Sequence, residues 1–331
     1  MKYKCAIVGL GRIGCGFDDD NNTLKINTHA GAYTKCSQTK LVALCDIDKK
    51  KLKKYGAKYQ VSRTYQNYDE LFEQEKLDIV SICTHPQFHL SIVKSAAKNG
   101  IKGIFLEKPI SDSKSNAKKI IKICKEKKIM LQIDHQRRFS KFYKKIKNNL
   151  SKEKIGKIQN VNIYYGSGII NTGTHLMDLI RLFFDEILWV EGYLNKEIPS
   201  KDDPNIDGLI GCKNNIVCRL KSIDLTKFRI LEIDIIGTKG RFIINWGDSS
   251  ATYYSIQKTS GLVYTEIKGN NFTIKENKEH ILLGLENLLF CMQQSSVPLC
   301  TGWDGYRALI STLSLIISSK QNGKRISLPT K

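Results

Sequence analysis

The 331-residue chain has no apolar run that approaches the roughly 18 residues needed to cross a bilayer. Its first residues enter a predicted strand directly, without the apolar segment and cleavage site of a secretory signal. Ten cysteines are scattered along the chain, and none forms a Cys-x-x-Cys pair typical of zinc or redox sites. Several lie in apolar runs, where reduced cysteine behaves as a small hydrophobic residue. We therefore expect a cytoplasmic protein with reduced thiols and no metal site.

Acidic residues are few relative to basic ones, since 53 Lys and Arg against 32 Asp and Glu give a formal net charge of +21. The lysines form short clusters over predicted helix surfaces, without a basic tail, interleaved aromatic residues or a nucleic-acid reading module. Nucleic acid and membranes are therefore not expected partners. Two interpretations stay open: a solvated lysine-rich surface, or a preference for an anionic small substrate.

The chain length allows about two domains, because single hydrophobic cores usually stop growing beyond about 250–300 residues. Residues 1–134 alternate strand and helix, which is typical of a doubly wound parallel sheet. The predicted strands here are Tyr3–Val8, Leu41–Cys45, Leu77–Cys83, Lys102–Leu106 and Ile129–Ile133. We predict an α/β fold class with an N-terminal Rossmann domain over residues 1–134.

Beyond residue 134 strands dominate, and the sequence Lys213-Asn214-Asn215 and the residues 237–240 indicate hairpin turns. The predicted strands are Ile158–Tyr165, Leu188–Tyr193, Ile216–Ile223, Ile230–Ile236 and Arg241–Asn245, with short runs to Ile267. The predicted helices are Lys141–Leu150, Thr174–Phe184, Glu279–Gln293 and Asp304–Ser319. We predict a C-terminal α+β domain over residues 135–331, with an open, mainly antiparallel sheet.

A glycine-rich turn follows the first predicted strand. Its sequence is Gly9-Leu10-Gly11-Arg12-Ile13-Gly14, a GxGxxG pattern. Gly9 permits a tight turn, Gly11 lets the backbone approach a pyrophosphate, and Gly14 allows close packing of a helix on the strand. The helix that follows offers free N–H groups and a partial positive charge to phosphates. We predict that these residues, with Arg12 and Ile13, bind a dinucleotide.

Asp46 ends the second predicted strand. A carboxylate there accepts hydrogen bonds from ribose hydroxyls and repels a 2′-phosphate, which favours NAD(H) and makes NADP(H) the less expected cofactor. However, 32 residues separate Gly14 from Asp46, whereas the standard distance is about 20. Residues 17–28 are therefore interpreted as an insertion, either a solvated loop or a lid that faces substrate or a neighbouring subunit. His29, which follows it, is either a capping or surface residue or a ligand contact.

Lys108 follows an apolar strand in the tripeptide Glu107-Lys108-Pro109. A lysine at the C-terminal end of a buried parallel strand projects into the crevice where open α/β sheets bind ligands. Pro109 donates no amide hydrogen and fixes φ, so the chain leaves the sheet there. An ammonium near C4 of a nicotinamide can hydrogen-bond a substrate hydroxyl and stabilise a developing alkoxide, and Glu107 would neutralise or orient it.

A third motif opens a predicted helix in the second half of the chain. Its sequence is Asn171-Thr172-Gly173-Thr174-His175-Leu176-Met177-Asp178. In this order and spacing, the glycine turn, the Glu-Lys-Pro tripeptide and this motif resemble the Gfo/Idh/MocA family of nicotinamide-dependent sugar oxidoreductases. The resemblance covers essentially the whole chain and is more secure before residue 185 than after it.

The resemblance implies that Lys108 and His175 are catalytic and handle the proton during hydride transfer. Family members carry a carboxylate four residues before the histidine, whereas this chain has Asn171, which can bind a substrate hydroxyl but cannot stabilise an imidazolium as a carboxylate does. This departure argues against a strict Asp–His dyad and against inositol as the substrate. Asp178 shares a helical face with His175 and either contributes to the substrate site or is a buried structural acid.

The same resemblance implies further cofactor contacts. Thr84 and His89 lie in the turn after the third predicted strand and would contact the nicotinamide ribose, or would only form a proline turn with helix capping. Glu107 and Lys108 are expected beside the cofactor as well.

The substrate site is expected to include residues of both domains. Arg137 and Arg138 at the domain junction can pair with a carboxylate or phosphate, one of them holding structure while the other faces the ligand. Tyr165 would complete the site from the second domain.

The expected activity is NAD(H)-dependent hydride transfer to or from a ring hydroxyl or ketone of a sugar or sugar derivative, including nucleotide-linked or otherwise anionic sugars. Two alternatives stay open: a non-catalytic NAD- and sugar-binding regulator, and a redox-neutral enzyme that keeps NAD tightly bound. Intact Lys108 and His175 argue against the regulator. By resemblance, the C-terminal sheet would bind substrate and form a homodimer or homotetramer.

Overall fold

A computed structural model describes residues 2–19, 26–198, 202–226, 228–257, 265–273 and 279–329. The chain forms two compact units, each made of two segments. The first unit contains Met1–Ser140 and Asn277–Tyr306, and the second contains Lys141–Glu276 and Arg307–Lys331. The division expected from the sequence, 1–134 and 135–331, differs from this one because a C-terminal segment returns to the first unit.

The first unit is built on a six-stranded parallel sheet. Its strands are β1 Tyr3–Val8, β2 Thr39–Cys45, β3 Arg63–Tyr65, β4 Ile79–Ile82, β5 Gly103–Leu106 and β6 Met130–Ile133. They are arranged in the order β3-β2-β1-β4-β5-β6, which is that of a doubly wound dinucleotide-binding fold. Every residue of β4 and β5 is buried, as in a parallel sheet covered on both faces. The predicted fold class is thereby confirmed.

Helices flank this sheet, and the second unit contains helices as well. Among the described residues the α-helices are α1 His29–Lys35, α2 Lys49–Tyr59, α3 Tyr68–Gln74, α4 His89–Lys98, α5 Lys114–Glu126, α6 Lys141–Ser151, α7 Thr174–Phe184, α8 His280–Gln294 and α9 Gly302–Lys320. Side-chain oxygens of Thr28, Asp48, Asn67 and Ser113 accept backbone N–H groups at the starts of α1, α2, α3 and α5. These caps fix where the helices begin. No helix of the described chain has the length and apolarity needed to cross a membrane.

Helix α8 explains the return of the chain to the first unit. An ideal Cβ atom on Gly284 would lie 2.8 Å from ring atoms of Phe105 and Phe139, so glycine lets α8 approach β5 closely. Gln132 Nε2 on β6 donates a 2.6 Å hydrogen bond to the Gly284 carbonyl. The helix therefore covers the sheet of the first unit, which a pattern of apolar residues could not reveal.

The second unit contains a nine-stranded sheet. Its strands are β7 Ile158–Tyr165, β8 Ile187–Leu194, β9 Ile206–Cys212, β10 Val217–Ser222, β11 Glu232–Gly237, β12 Gly240–Asn245, β13 Ser250–Ile256, β14 Ile267–Phe272 and β15 Ile326–Ser327. The order is β14-β13-β12-β11-β7-β10-β9-β8-β15, and β7–β10 is the parallel pair in an otherwise antiparallel sheet. The mainly antiparallel sheet and both hairpin turns are as the sequence predicted.

Within the described residues, one face of this sheet packs against helices and the other is left open. Apolar residues of α6, α7 and the second half of α9 join the buried strand residues in one core. Along β10, Cys218 and Leu220 are buried, whereas Val217, Arg219 and Lys221 are exposed. This alternation is typical of an antiparallel sheet with one solvated face.

Candidate active site

The glycine turn has the geometry that a dinucleotide needs. Gly9 has φ +96°, and an ideal Cβ there would lie 2.7 Å from the carbonyl of Cys83. An ideal Cβ on Gly14 would lie 2.2 Å from the Gly9 carbonyl oxygen, so larger residues are excluded at both positions. An ideal Cβ on Gly11 meets nothing within 4 Å. The turn therefore exposes backbone at Gly11, and these residues fit a bound pyrophosphate.

Helix α1 continues the helical turn that the glycine motif begins. His29 N–H donates to the Ile13 carbonyl at 3.1 Å and Ala30 N–H to the Gly14 carbonyl at 3.0 Å. Residues 15–28 are thus an insertion between residues that hydrogen-bond to each other as in one continuous helix. Without this insertion, the separation between Gly14 and Asp46 is close to the standard spacing of about 20 residues. Asp19 anchors the start of the insertion by accepting hydrogen bonds from Lys54, Tyr55 and Lys58. Its proposed lid includes residues 20–25, which lie outside the described residues.

The Asp46 carboxylate lies beside the glycine turn. Its Oδ2 accepts the backbone N–H of Leu10 at 2.6 Å, and its Oδ1 accepts that of Asp48 at 2.9 Å. These donors hold the carboxylate at the C-terminal end of β2, where a ribose would be recognised. The ribose contact itself stays a prediction.

The turn after β4 corrects one expectation. His89 is fully buried, and its ring nitrogens lie 3.2 Å from the Ile110 carbonyl and 3.1 Å from the Thr84 carbonyl. Its ring lies between these two carbonyls and is not available to a cofactor. Burial lowers the pKa of His89. Thr84 is half-buried at the end of this turn and stays a predicted cofactor contact.

Lys108 is half-buried directly after β5, and its peptide bond to Pro109 is cis. Its backbone N–H donates to Glu107 Oε2 at 3.2 Å. The other carboxylate oxygen, Glu107 Oε1, lies 3.1 Å from His29 Nε2. The buried Glu107 carboxylate is therefore engaged within the domain, which corrects its expected contact with the cofactor. The sequence left the role of His29 open, and the structure shows a buried residue of the domain interior.

Arg138, the second of the two adjacent arginines, has structural partners. Arg138 forms a 3.2 Å ion pair with Asp304 and a 3.4 Å hydrogen bond to the Leu299 carbonyl. Arg138 is thus the one that holds structure, and its expected role in substrate binding is not supported. Arg137 is half-buried on the same short 3₁₀ turn, Gln136–Phe139, and stays the candidate for a ligand contact.

In the second unit, His175 is half-buried in the first turn of α7, directly after a π-helix at Gly168–Gly173. π-Helical turns are frequent at functional sites. The Asp203 carboxylate accepts the backbone N–H groups of Ile170 at 2.7 Å and of Asn171 at 2.8 Å, which fixes the turn. Asp203 could not be predicted from the sequence, because it lies in a loop without a motif and 32 residues from its partner Asn171.

Three further predicted substrate residues lie in the second unit. Tyr165 is fully buried in the core, and its hydroxyl exchanges hydrogen bonds with the backbone of Ile206 at 2.8–2.9 Å. This contradicts its predicted contact with substrate, since Tyr165 faces the helix-covered side of the sheet. Asp178 is buried in α7, whereas Asn171 is exposed. A substrate contact at Asn171 therefore stays a prediction.

Comparison with known proteins agrees with this geometry. Residues 3–135 match the GFO_IDH_MocA model, which describes an oxidoreductase family with an NAD-binding Rossmann fold. Myo-inositol 2-dehydrogenase of Thermotoga maritima is 24% identical over 329 residues, covering 93% of each chain. D-apiose dehydrogenase of Rhizobium rhizogenes is 26% identical and covers 71% of this chain and 72% of that protein. Several other relatives are matched over less than half of their length.

Solved structures share the fold over the whole chain. The WlbA dehydrogenase from Bordetella pertussis, crystallised with NADH and UDP-GlcNAcA, has a TM-score of 0.78 at 18% identity, with 100% of both chains covered. The fold, the glycine turn and these similarities define an NAD-binding oxidoreductase. Residues 3–135 carry the match to the Gfo/Idh/MocA model, and the similarity to myo-inositol 2-dehydrogenase extends over 93% of the chain.

The position of Asp46 predicts the cofactor preference. NADH should bind at least about tenfold more tightly than NADPH, a difference of roughly 1.4 kcal/mol, because the carboxylate repels a 2′-phosphate. Asp46→Asn keeps an acceptor for the Leu10 amide and removes the charge, so it should narrow this difference. Calorimetric titration of both proteins with both cofactors measures it. Equal affinities in the unchanged protein would contradict the assignment of Asp46.

Proposed function

We propose that the protein transfers hydride between NAD(H) and a ring hydroxyl or ketone of a sugar or sugar derivative. The observation that carries this proposal is the position of Lys108. Strands β1, β2 and β5 are parallel, so the glycine turn, Asp46 and Lys108 follow strand ends at the same edge of one sheet. A half-buried ammonium at that edge suits a group that binds the reacting oxygen.

Lys108 and His175 have separate roles in the proposed reaction. Bound NAD supplies the hydride acceptor or donor. Lys108 binds the substrate oxygen and stabilises the charge that develops on it. His175, at the start of α7, exchanges the proton as general acid or base. Among related proteins, the names of myo-inositol 2-dehydrogenase and D-apiose dehydrogenase support a polyol or sugar as the substrate class.

Substitution of the two proton-handling residues tests the proposal. Lys108→Ala and His175→Ala should each lower kcat by about 10²–10⁴, the usual contribution of a positioned acid or base. The affinity for NADH should change little. Lys102→Ala is the matched control, because Lys102 precedes the same strand and forms an exposed ion pair with Asp78. The measurement is NADH formation with a panel of sugars and nucleotide sugars.

The outcome of this panel separates the two alternatives. NAD that stays bound through purification, with product formed but no net change in absorbance, would indicate redox-neutral turnover instead. Binding of NAD and sugar without any turnover would indicate a regulator. Near-normal turnover by the His175→Ala protein would exclude His175 as the acid or base.

The arginines test whether the substrate is anionic. If it carries a phosphate or carboxylate, Arg137 should contribute about 1.5–3 kcal/mol through charge-assisted hydrogen bonds, and Arg137→Gln should raise KM by one to two orders of magnitude. The KM of the unchanged enzyme should also rise with salt. Arg138→Gln is the control and should lower stability, since it breaks the ion pair with Asp304. A KM that does not change with salt concentration would argue against an anionic substrate. The net charge of +21 would then belong to the solvated surface.

We further propose that the open face of the nine-stranded sheet binds a second copy of the chain. A shallow cavity of about 370 Å³ lies on this face and is lined by residues of β7 to β10. Tyr193 and Val217 expose apolar side chains, and Asp207 and Lys221 form an ion pair on this face, so the face combines apolar and charged groups that could contact its own copy.

The oligomeric state tests this surface. Light scattering at micromolar concentration should give the mass of a dimer or tetramer of 37.6 kDa chains. Tyr193→Glu should shift the protein toward monomer, because it buries a charge in the contact. Phe290→Glu is the control, since Phe290 is also an exposed aromatic residue but lies on α8 of the first unit. A monomeric unchanged protein would exclude the proposed contact.

A further inference from the structure

Three buried ionisable side chains meet at the C-terminal edge of the parallel sheet. His29 is 1% exposed, Glu107 6% and Asp134 1%. His29 Nε2 lies 3.1 Å from Glu107 Oε1 and 3.6 Å from Asp134 Oδ2. The three residues come from α1 and from the ends of β5 and β6, so tertiary structure alone brings them together. One ring nitrogen thus faces two carboxylates.

The second ring nitrogen of His29 also faces an acceptor. Its Nδ1 lies 2.9 Å from Ser81 Oγ, and the Ser81 hydroxyl donates to the Tyr33 hydroxyl at 2.8 Å. The Ser81 oxygen can accept from Nδ1 while its own proton is directed at Tyr33. Both nitrogens of His29 thus face oxygen atoms that can accept a hydrogen bond, as an imidazolium requires.

The charges around His29 favour the same state. Burial lowers the pKa of His29, but Cys83, Asp134 and Glu107 together outweigh burial, so that this pKa lies well above its usual value. Burial also raises the pKa of the neighbouring Cys83 thiol. Burial, together with the charge of Glu107, raises the pKa of Asp134 to about 6, whereas the pKa of Glu107 is lowered because His29 and Lys108 outweigh its burial. An imidazolium compensates carboxylates that would otherwise be buried unpaired.

We propose that His29 is a positioning residue for Lys108. Its imidazolium holds one oxygen of the Glu107 carboxylate, and the other oxygen accepts the backbone N–H of Lys108 at 3.2 Å. A continuous series of contacts therefore links helix α1 to the peptide unit from which the lysine extends. The inference rests on the proposed function only in taking Lys108 as the catalytic residue.

Removal of the imidazolium has a defined electrostatic consequence. Glu107 and Asp134 would then share a site without a cation between them, and two carboxylates in one site do not both ionise readily. One of them would retain a proton to higher pH. Because a neutral acid replaces both the cation and one anion, the net charge near Lys108 would change little. The acidic limb of a pH–rate profile should therefore move, while the basic limb should not.

The protonation state of His29 is measurable without any substrate. In protein labelled with ¹⁵N-histidine, the NMR signal that His29→Asn removes should show two protonated ring nitrogens at pH 7.5. A neutral ring at this pH would overturn the proposal. Elemental analysis provides a second check, because a stoichiometric divalent ion that His29→Asn releases would require a deprotonated nitrogen and would also overturn it.

Kinetic comparison of two variants separates the effect of the hydrogen bond from His29 to Glu107 from the effect of the positive charge on His29. His29→Asn withdraws the side chain from Glu107, whereas His29→Gln keeps a neutral N–H donor within reach of it. We expect kcat to fall about tenfold in His29→Asn, equivalent to roughly 1.4 kcal/mol, and to recover to within about threefold in His29→Gln, the range of a single hydrogen bond. The KM for NADH should stay within about threefold. The acidic limb of the kcat profile should move up by about one pH unit in both variants.

A matched control distinguishes this role from loss of a buried charge in general. Glu75 is a buried carboxylate near β3 that pairs with Arg63 at 2.5 Å and Tyr65 at 2.7 Å. Glu75→Gln should lower stability but leave kcat and its pH profile unchanged. An unchanged kcat and acidic limb in folded His29→Asn would overturn the proposal, as would equal effects in Glu75→Gln.

Asp134→Asn keeps the test decisive if neither His29 variant folds. It leaves the imidazolium with one carboxylate, so kcat should stay within about threefold and the His29 ring should keep two protonated nitrogens at pH 7.5. A neutral ring in Asp134→Asn would overturn the proposal. Absence of turnover in every variant and in the unchanged protein would instead count against the proposed function, and the NMR experiment would still decide the state of His29.

Discussion

The contact between His29 and Glu107 connects the cofactor-binding turn to the residue proposed for chemistry. Helix α1 starts by hydrogen-bonding to the glycine turn, and its first residue reaches the carboxylate beside Lys108. Separation of His29 from Glu107 would cost free energy, because an isolated buried charge loses its hydration without compensation. The positions of the turn, of α1 and of the lysine therefore depend on one another. A shift of the helix would disturb both binding and catalysis.

The insertion between the glycine turn and α1 leaves this arrangement intact. The carbonyls of Ile13 and Gly14 accept from the first amides of α1, as they would in an uninterrupted helix. Asp18 accepts the backbone N–H of Asn27 at 2.7 Å, so the two ends of the insertion are held together. Added chain of this kind costs little when its ends already meet, since loop-closure entropy grows slowly with length. This fold can thus carry extra chain beside its cofactor site.

The helices and strands that were predicted correctly from the sequence share one property: a local pattern of residues defines them. Strands β1 and β7 and helix α7 have the predicted bounds, because alternating or continuous apolar residues and turn residues define them. Strand β3 escaped prediction, because two of its three residues are exposed and carry no apolar signal. Tyr165 was misassigned for a related reason: neighbouring Tyr164 and Tyr165 look alike in sequence, and only the sheet determines which one is buried.

By itself the sequence determined the fold class, the nucleotide-binding turn and the candidate lysine, since glycine spacing and a polar residue after a buried strand have local physical causes. Only the tertiary structure decided the partners of those residues. It placed His29 in the domain interior and paired Arg138 with Asp304. It also fixed the turn before His175 through hydrogen bonds to Asp203. These contacts join residues far apart in the chain. Their energies depend on burial and distance in the folded protein, which no local pattern records.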